Sequence, residues 1–263
     1  MEAIAFESVN KVFRCRRGLF TRATAAPSFA LRNVSLRLTA GSVSAVLGQN
    51  GSGKTTLLKL ISTMLLPDQG RILVYGSDTR NHGQQVRANV GFAIASERSF
   101  FPRLTVRENL EFFAALDNVG PRLRPHRIQT ILGRTGLLDV AHLLAMNLSS
   151  GMYQKLAIAR ALVKQPSVLL LDEPTRSLDL TAGSGIRTLI RELSAEGTTV
   201  VIASHNLEEV AAAADSVIVL RRGQVAASCP ISTLTTQAIQ SYRLQTTSRA
   251  EMPDSAFVLE DCR

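Results

Sequence analysis

Between Ser42 and Met64 the chain passes from an unbroken apolar stretch, SVSAVL, through Gly48-Gln49-Asn50-Gly51-Ser52-Gly53-Lys54-Thr55 into a segment with helical spacing. That order demands a buried strand, a tight glycine turn and a helix start in immediate succession. Glycines at 48, 51 and 53 let the backbone curl so that consecutive N–H groups point inward at an anion. A helix expected over residues 54–64 adds the positive end of its dipole to the same place. Lys54 supplies a positive charge for β and γ phosphates, and the Thr55 hydroxyl is of the type that ligates Mg²⁺. Gln49, Asn50, Ser52 and Thr56 complete the expected cradle. The pattern implies nucleotide binding and leaves open what the nucleotide drives.

The rest of the chain reads as strands alternating with helices. Strands are expected around 3–13, 29–38, 42–47, 70–75, 90–95, 167–171, 198–203 and 216–220, with a last short one near Val225, and helices around 154–163, 181–193 and 207–213. From Thr105 to Val163 the apolar spacing is helical instead. The fold class that follows is α/β, a P-loop core with a mainly parallel sheet and helices on both faces. It carries a small N-terminal antiparallel β region and an inserted helical subdomain. The expected boundaries are a nucleotide-binding domain over 1–228 (core about 1–95 and 164–228, helical subdomain about 96–163) and a Ser-, Thr- and Gln-rich tail over 229–263.

Charge narrows the partners. Residues 8–67 hold nine basic residues, Arg14, Arg16, Arg17 and Arg22 among them, and no acidic one, whereas the remainder is balanced at 21 basic and 21 acidic. A chain that binds nucleic acid over its whole surface is not built this way, so no nucleic-acid partner is expected; one local patch meets something anionic. Cys15, Cys229 and Cys262 stand singly, without metal-ligand or disulfide spacing. With no membrane-length apolar run and no secretory leader, the expectation is a soluble protein of a reducing compartment.

Ser167-Val-Leu-Leu-Leu-Asp172-Glu173 is an apolar strand ending in two carboxylates. In an open parallel sheet the carboxyl ends of strands line the ligand crevice. Asp172 is thus expected to hold Mg²⁺, with Thr55, and Glu173 to polarise an attacking water. His205 closes a third strand on the same edge and is placed to reach a γ-phosphate. His82, His126 and His142 have no such placement.

Taken together, these elements resemble the ATP-binding subunit of an ABC transporter, over residues 1 to about 228. The segment that decides it is Leu148-Ser149-Ser150-Gly151-Met152-Tyr153-Gln154, which is similar to the family's LSGGQ signature and stands upstream of the acidic strand. Physically it is a second helix start bearing serine and glycine, hence a second anion site. The resemblance implies that two subunits, identical or paired, join head to tail. Ser149, Ser150, Gly151 and Met152 of one then complete the MgATP site of the other. It also implies that Ser177-Leu178-Asp179 forms the loop that communicates across the pair and that His205 is the switch histidine. Phe13 stands where the family places an aromatic residue against adenine; a strand residue packed in the core is the alternative. The signature departs from the family at Ser150, where Gly is usual, and at Met152, where Gln is usual. Near residue 96 the family's glutamine is missing, and Ser96 or Glu97 takes its place.

The resemblance further implies separate integral membrane permease subunits, with this chain peripheral on the cytoplasmic face of the inner (cell) membrane. Ser99-Phe100-Phe101-Pro102-Arg103 is expected in the groove that receives their coupling helix, and the Arg-rich insert either near anionic headgroups or as a solvated loop. Residues 97–110 look similar to bacterial exporters with separate ATPase subunits. The rival expectation is an ABC ATPase without a transporter, of the iron–sulfur assembly type.

Overall fold

The structure, a computed structural model, describes residues 1–13, 28–94, 99–175, 178 and 180–233. The Arg-rich insert, Ser96, Glu97, Ser177, Asp179 and the chain beyond 233 lie outside the described residues.

Among the described residues ten strands form two sheets. The larger has the order β10 (Gln224–Pro230), β9 (Ser216–Arg221), β3 (Val43–Leu47), β8 (Thr199–Ser204), β7 (Val168–Asp172), β6 (Val90–Ile94), and all its pairings are parallel except β9 with β10. Its central strands are buried end to end, which is why they read as continuous apolar runs and not as alternating ones. Alternation survives as a division of labour between the two faces. Val43, Ala45, Leu47, Leu169, Leu171, Val200 and Ile202 point into one core. Val46, Val168, Leu170, Val201 and Ala203 point into the other.

The second sheet is antiparallel, in the order β2 (Ser28–Thr39), β1 (Glu2–Phe13), β4 (Gln69–Val74), β5 (Ser77–Asp78). It packs over helix α1 (Lys54–Ile61), sealing the second core with Ile4, Phe6, Leu36, Ile72 and Val74. The antiparallel region therefore recruits strands from beyond the glycine loop as well as from the N-terminus.

Two short elements differ from the sequence expectation. Helix α2 (Gly83–Asn89) buries only Val86, too little for a helical stripe to show. Strand β5 has just two residues. Helix α1 also ends three residues early: Thr63 turns left-handed at φ 61°, and the Leu65 N–H closes on the Lys59 carbonyl.

The chain leaves the large sheet at Ile94 and returns at Val168 in the adjacent strand. Between them lie α3 (Val106–Leu116), α4 (Arg124–Arg134) and α5 (Ser150–Leu162). Helix α3 is opened by a full capping box, Thr105 with Glu108, which lowers the Glu108 carboxyl through hydrogen bonds from Thr105. The remaining helices, α6 (Leu180–Ala195) and α7 (Leu207–Ala213), cover the first core.

Helix α5 is seated on β6 by an absent side chain. A Cβ on Gly91 would lie 2.4 Å from the Ala161 carbonyl oxygen and 2.8 Å from Pro166 Cγ, and a backbone oxygen cannot step aside cheaply. Gly91→Ala is therefore expected to cost about 1–3 kcal/mol through overpacking. Thermal unfolding of the ligand-free chain checks this; an unchanged Tm would mean that α5 is not held so closely.

Candidate nucleotide site

Three strand ends of the large sheet converge. The glycine loop follows β3, Asp172 and Glu173 end β7, and His205 follows β8 directly. Parallel pairing puts all three at the carboxyl edge, where crevices form in open α/β sheets.

The loop folds around its own lysine. Lys54 is 5% exposed, and its Nζ donates to the Gly48 carbonyl at 2.7 Å and the Gln49 carbonyl at 3.2 Å. Burial lowers the Lys54 pKa, opposed by the charges of Glu173 and Asp172. Gly53 is left-handed at φ 109°, and a Cβ there would sit 2.5 Å from the Ala30 carbonyl oxygen. Glycine is thus required both by conformation and by the approach of β2.

The Thr55 hydroxyl donates to Asp172 Oδ2 at 2.8 Å, while Asp172 Oδ1 is buried with no hydrogen-bond partner among the described residues. Burial raises the Asp172 pKa, partly offset by that Thr55 bond and reinforced by the neighbouring Glu173 charge. A buried carboxylate with an unused oxygen beside a hydroxyl is a donor set suited to a hard divalent cation, so these residues fit Mg²⁺.

Glu173 adopts φ 50°, rare for a residue with a side chain, and its N–H is fixed by the Ala203 carbonyl at 2.8 Å. From there its carboxylate spans two partners, His205 Nδ1 at 2.9 Å and Lys54 Nζ at 3.7 Å.

The loop and the two carboxylates open on a cavity of about 800 Å³, and His205 meets it only through Glu173, not on the wall itself. Asn50, Gly51, Gly53, Lys54, Thr55 and Thr56 line it, with Asp172 and Glu173. Gly48 and Gln49 are off the wall and act through their carbonyls; the Ser52 hydroxyl is buried with no partner among the described residues. At the β1–β2 side the wall is Phe13 and Phe29, 44% and 40% exposed. Phe13 is thus a wall residue and not a core one. Phe29 is the register partner of Val12, a placement that needs the strand pairing to be seen.

The signature lies on the opposite wall. Helix α5 starts at Ser150, four residues before the helix expected from the sequence, because the Ser149 side chain caps it by accepting from the Met152 N–H. Leu148, Ser150, Tyr153 and Gln154 line the cavity; Gly151 and Met152 do not, and Met152 packs partly against the core. Tyr153 and Gln154 were not among the expected site residues: inside a helix-start motif nothing marks which residue turns to the cavity.

Of the basic stretch, Lys11 pairs with Asp68 at 3.1 Å and Arg37 with Glu2 at 2.6 Å. No helix among the described residues is long and apolar enough to cross a membrane.

Comparison with known proteins identifies the family. The family model "ABC transporter" matches residues 31–176. The chain is 40% identical over 196 residues to the ABC transporter ATP-binding protein NatA of Bacillus subtilis, covering 74% of this chain and 80% of that protein. It is 38% identical over 198 residues to the daunorubicin resistance ATP-binding protein DrrA3 of Streptomyces coeruleorubidus, covering 75% of this chain and 62% of that one. Proteins named for sulfate/thiosulfate and Fe(3+) import are similar as well. Among solved structures, a dimeric ATP-binding cassette in a post-hydrolysis state bound to ADP and Pi superposes with a TM-score of 0.76 at 27% identity, over 87% of this chain and 98% of that one. On these matches, and on a fold and loop that agree with them, the chain belongs to the ABC transporter family as one of its ATP-hydrolysing, ATP-binding members.

Proposed function

We propose that two copies of this chain, or one copy and a paired ATPase subunit, close on two MgATP molecules and use hydrolysis to drive export through separate integral membrane subunits. The chain then works at the cytoplasmic face of the cell membrane, peripherally. The observation that carries the chemistry is Glu173, held between Lys54 and His205 at the mouth of the phosphate loop. Lys54 and the loop N–H groups bind the phosphates, and Glu173 takes the proton of the attacking water. His205 fixes the Glu173 carboxylate from the side away from Lys54, and in this reading it would turn to the γ-phosphate when ATP is bound. Thr55 and Asp172 would hold Mg²⁺, which when bound neutralises phosphate charge.

Pairing is supported by the exposed start of α5, a capped helix terminus left over once one phosphate loop has bound one nucleotide, and by the dimeric state of the matching cassette. Ser150→Arg puts a cation and bulk at that terminus without touching the Ser149 cap. ATP affinity of the isolated chain is expected to stay within about twofold while the ATP-dependent dimer is lost. Equilibrium titration and light scattering check the two halves. A large loss of ATP affinity in the isolated chain would mean that Ser150, which lines its own chain's cavity, acts in cis.

Coupling to membrane subunits is supported by Phe101 and Phe112, stacked edge to face at 4.6 Å and both exposed on the helical region between β6 and β7. Export is the direction proposed because a drug-resistance protein stands among the relatives; proteins named for import are similar to about the same degree. Retention of the chain in the membrane fraction only when candidate permeases are co-expressed tests this; a wholly soluble distribution with them present would favour an ATPase uncoupled from transport.

A further inference from the structure

Ser150, Tyr153 and Gln154 of α5 turn to the nucleotide cavity, whereas Lys155 and Ile158 of the same helix line a second one. This cavity, of about 170 Å³, lies where the end of α4, the body of α5 and α6 meet. Its floor is apolar: Ile158, Ile186 and Leu189 are each no more than 5% exposed. Two cations stand over that floor, and they are not equivalent. Arg134 is already paired, donating to both oxygens of Glu196 at 3.0 and 2.9 Å, with Glu192 at 3.9 Å. Lys155 is half-buried and makes no hydrogen bond or ion pair with any described residue. The end of α4 does not use it either. There the Gly136 N–H closes on the Gly133 carbonyl and the Leu137 N–H on the Leu132 carbonyl, a cap made by backbone alone. The Lys155 ammonium lies beside that cap, 3.5 Å from where a Cβ on Gly136 would stand.

Glycine keeps the cavity open. Gly133 in α4 and Gly185 inside α6 also line it, and a Cβ on either would meet nothing within 4 Å. Neither has a left-handed backbone. Glycine weakens a helix interior, and at these two positions neither crowding nor conformation asks for it. A side chain there would occupy the cavity.

Size and charge define what fits. A cavity of about 150 Å³ holds one benzene molecule, so an apolar body of that size covers Ile158, Ile186 and Leu189. The unpaired charge is a single ammonium. An anion of higher charge would face Glu192 and Glu196 without compensation, and a small hydrated ion would leave the apolar floor bare. We propose that this cavity binds a small monocarboxylate with an apolar body about the size of a benzene ring, its carboxylate on Lys155 Nζ. Occupancy ties α4 and α5 to α6. The site is separate from the nucleotide cavity and independent of what hydrolysis drives.

Benzoate is the probe, and benzamide, the same ring without the charge, is its control. Both are titrated into the full, nucleotide-free chain at constant ionic strength and followed by chemical-shift changes. Benzoate is expected to bind with a Kd of about 1 mM and to raise the Tm saturably. Benzamide is expected to bind about tenfold more weakly, for want of a charge-assisted hydrogen bond. Lys155→Met keeps the stem and removes the ammonium; benzoate is expected to weaken about tenfold there and benzamide to stay within about twofold. Gly185→Leu fills the cavity from α6 and is expected to abolish binding of both without lowering the ligand-free Tm. Benzoate binding no tighter than benzamide, or parent-like benzoate affinity in Lys155→Met or in a folded Gly185→Leu, would overturn the site. So would the absence of saturable benzoate binding to the unaltered chain.

Discussion

Glu173→Gln is expected to bind ATP about as tightly as the unaltered chain and to hydrolyse it slower by a factor of about 100 to 10,000, the span that removal of a general base produces. The geometry predicts the separation of the two effects. Glutamine has the same length, and its amide can keep a hydrogen bond to His205 Nδ1, which now lies 2.9 Å from the carboxylate. It cannot take a proton. Lys54 loses a 3.7 Å ion pair but keeps both carbonyl acceptors, so the phosphate loop retains its shape. Phosphate release under saturating ATP measures the turnover, and an equilibrium titration measures the affinity. Turnover within a few-fold of the parent would remove Glu173 from the base role.

Lys54→Ala acts on the other half of the site and on binding. The Lys54 ammonium is buried between two loop carbonyls and two carboxylates. Truncation leaves Gly48 and Gln49 oxygens without their donor and Asp172 and Glu173 without their nearest cation, just where a triphosphate must arrive. The triphosphate loses its ammonium partner, and truncating one side of a charge pair at a binding interface costs about 2–5 kcal/mol, so ATP affinity is expected to fall by a factor of about 30 or more. Calorimetric titration reads this directly. Binding of unchanged strength would contradict the assignment of the loop. Far-ultraviolet circular dichroism of the same sample separates lost binding from lost folding.

Much of this site is visible without coordinates, for a physical reason. A phosphate loop and a strand-end carboxylate are local features: backbone conformation, helix dipole and strand termination are all set within a few residues. Helix α7, at Leu207–Ala213, coincides with its expected span because its apolar spacing and its Asn206 cap are equally local. What sequence does not display is set by pairing. Phe29 reaches the cavity because β2 pairs with β1 so that, after a register shift between Lys11 and Val12, Phe29 lies opposite Val12, and Gln154 because α5 sits on β6 over Gly91. The α5 start was misplaced because Ser149 recruits Ser150 and Gly151 into a helix that their own propensities would not begin. Helix α2, with a single buried residue, offers no periodicity at all. Glu173 at φ 50° belongs to the same class: its strain is held by the Ala203 carbonyl on a strand 30 residues away in sequence.

The central claim is that ATP brings two such subunits together with α5 of each facing the other's nucleotide. The most direct test is the mass in solution of Glu173→Gln, by light scattering, with and without MgATP. A shift from monomer to dimer on adding MgATP, reversed by Ser150→Arg in the same background, is the expected result. A mass that stays monomeric at saturating MgATP, alone and with a paired ATPase subunit supplied, would contradict it.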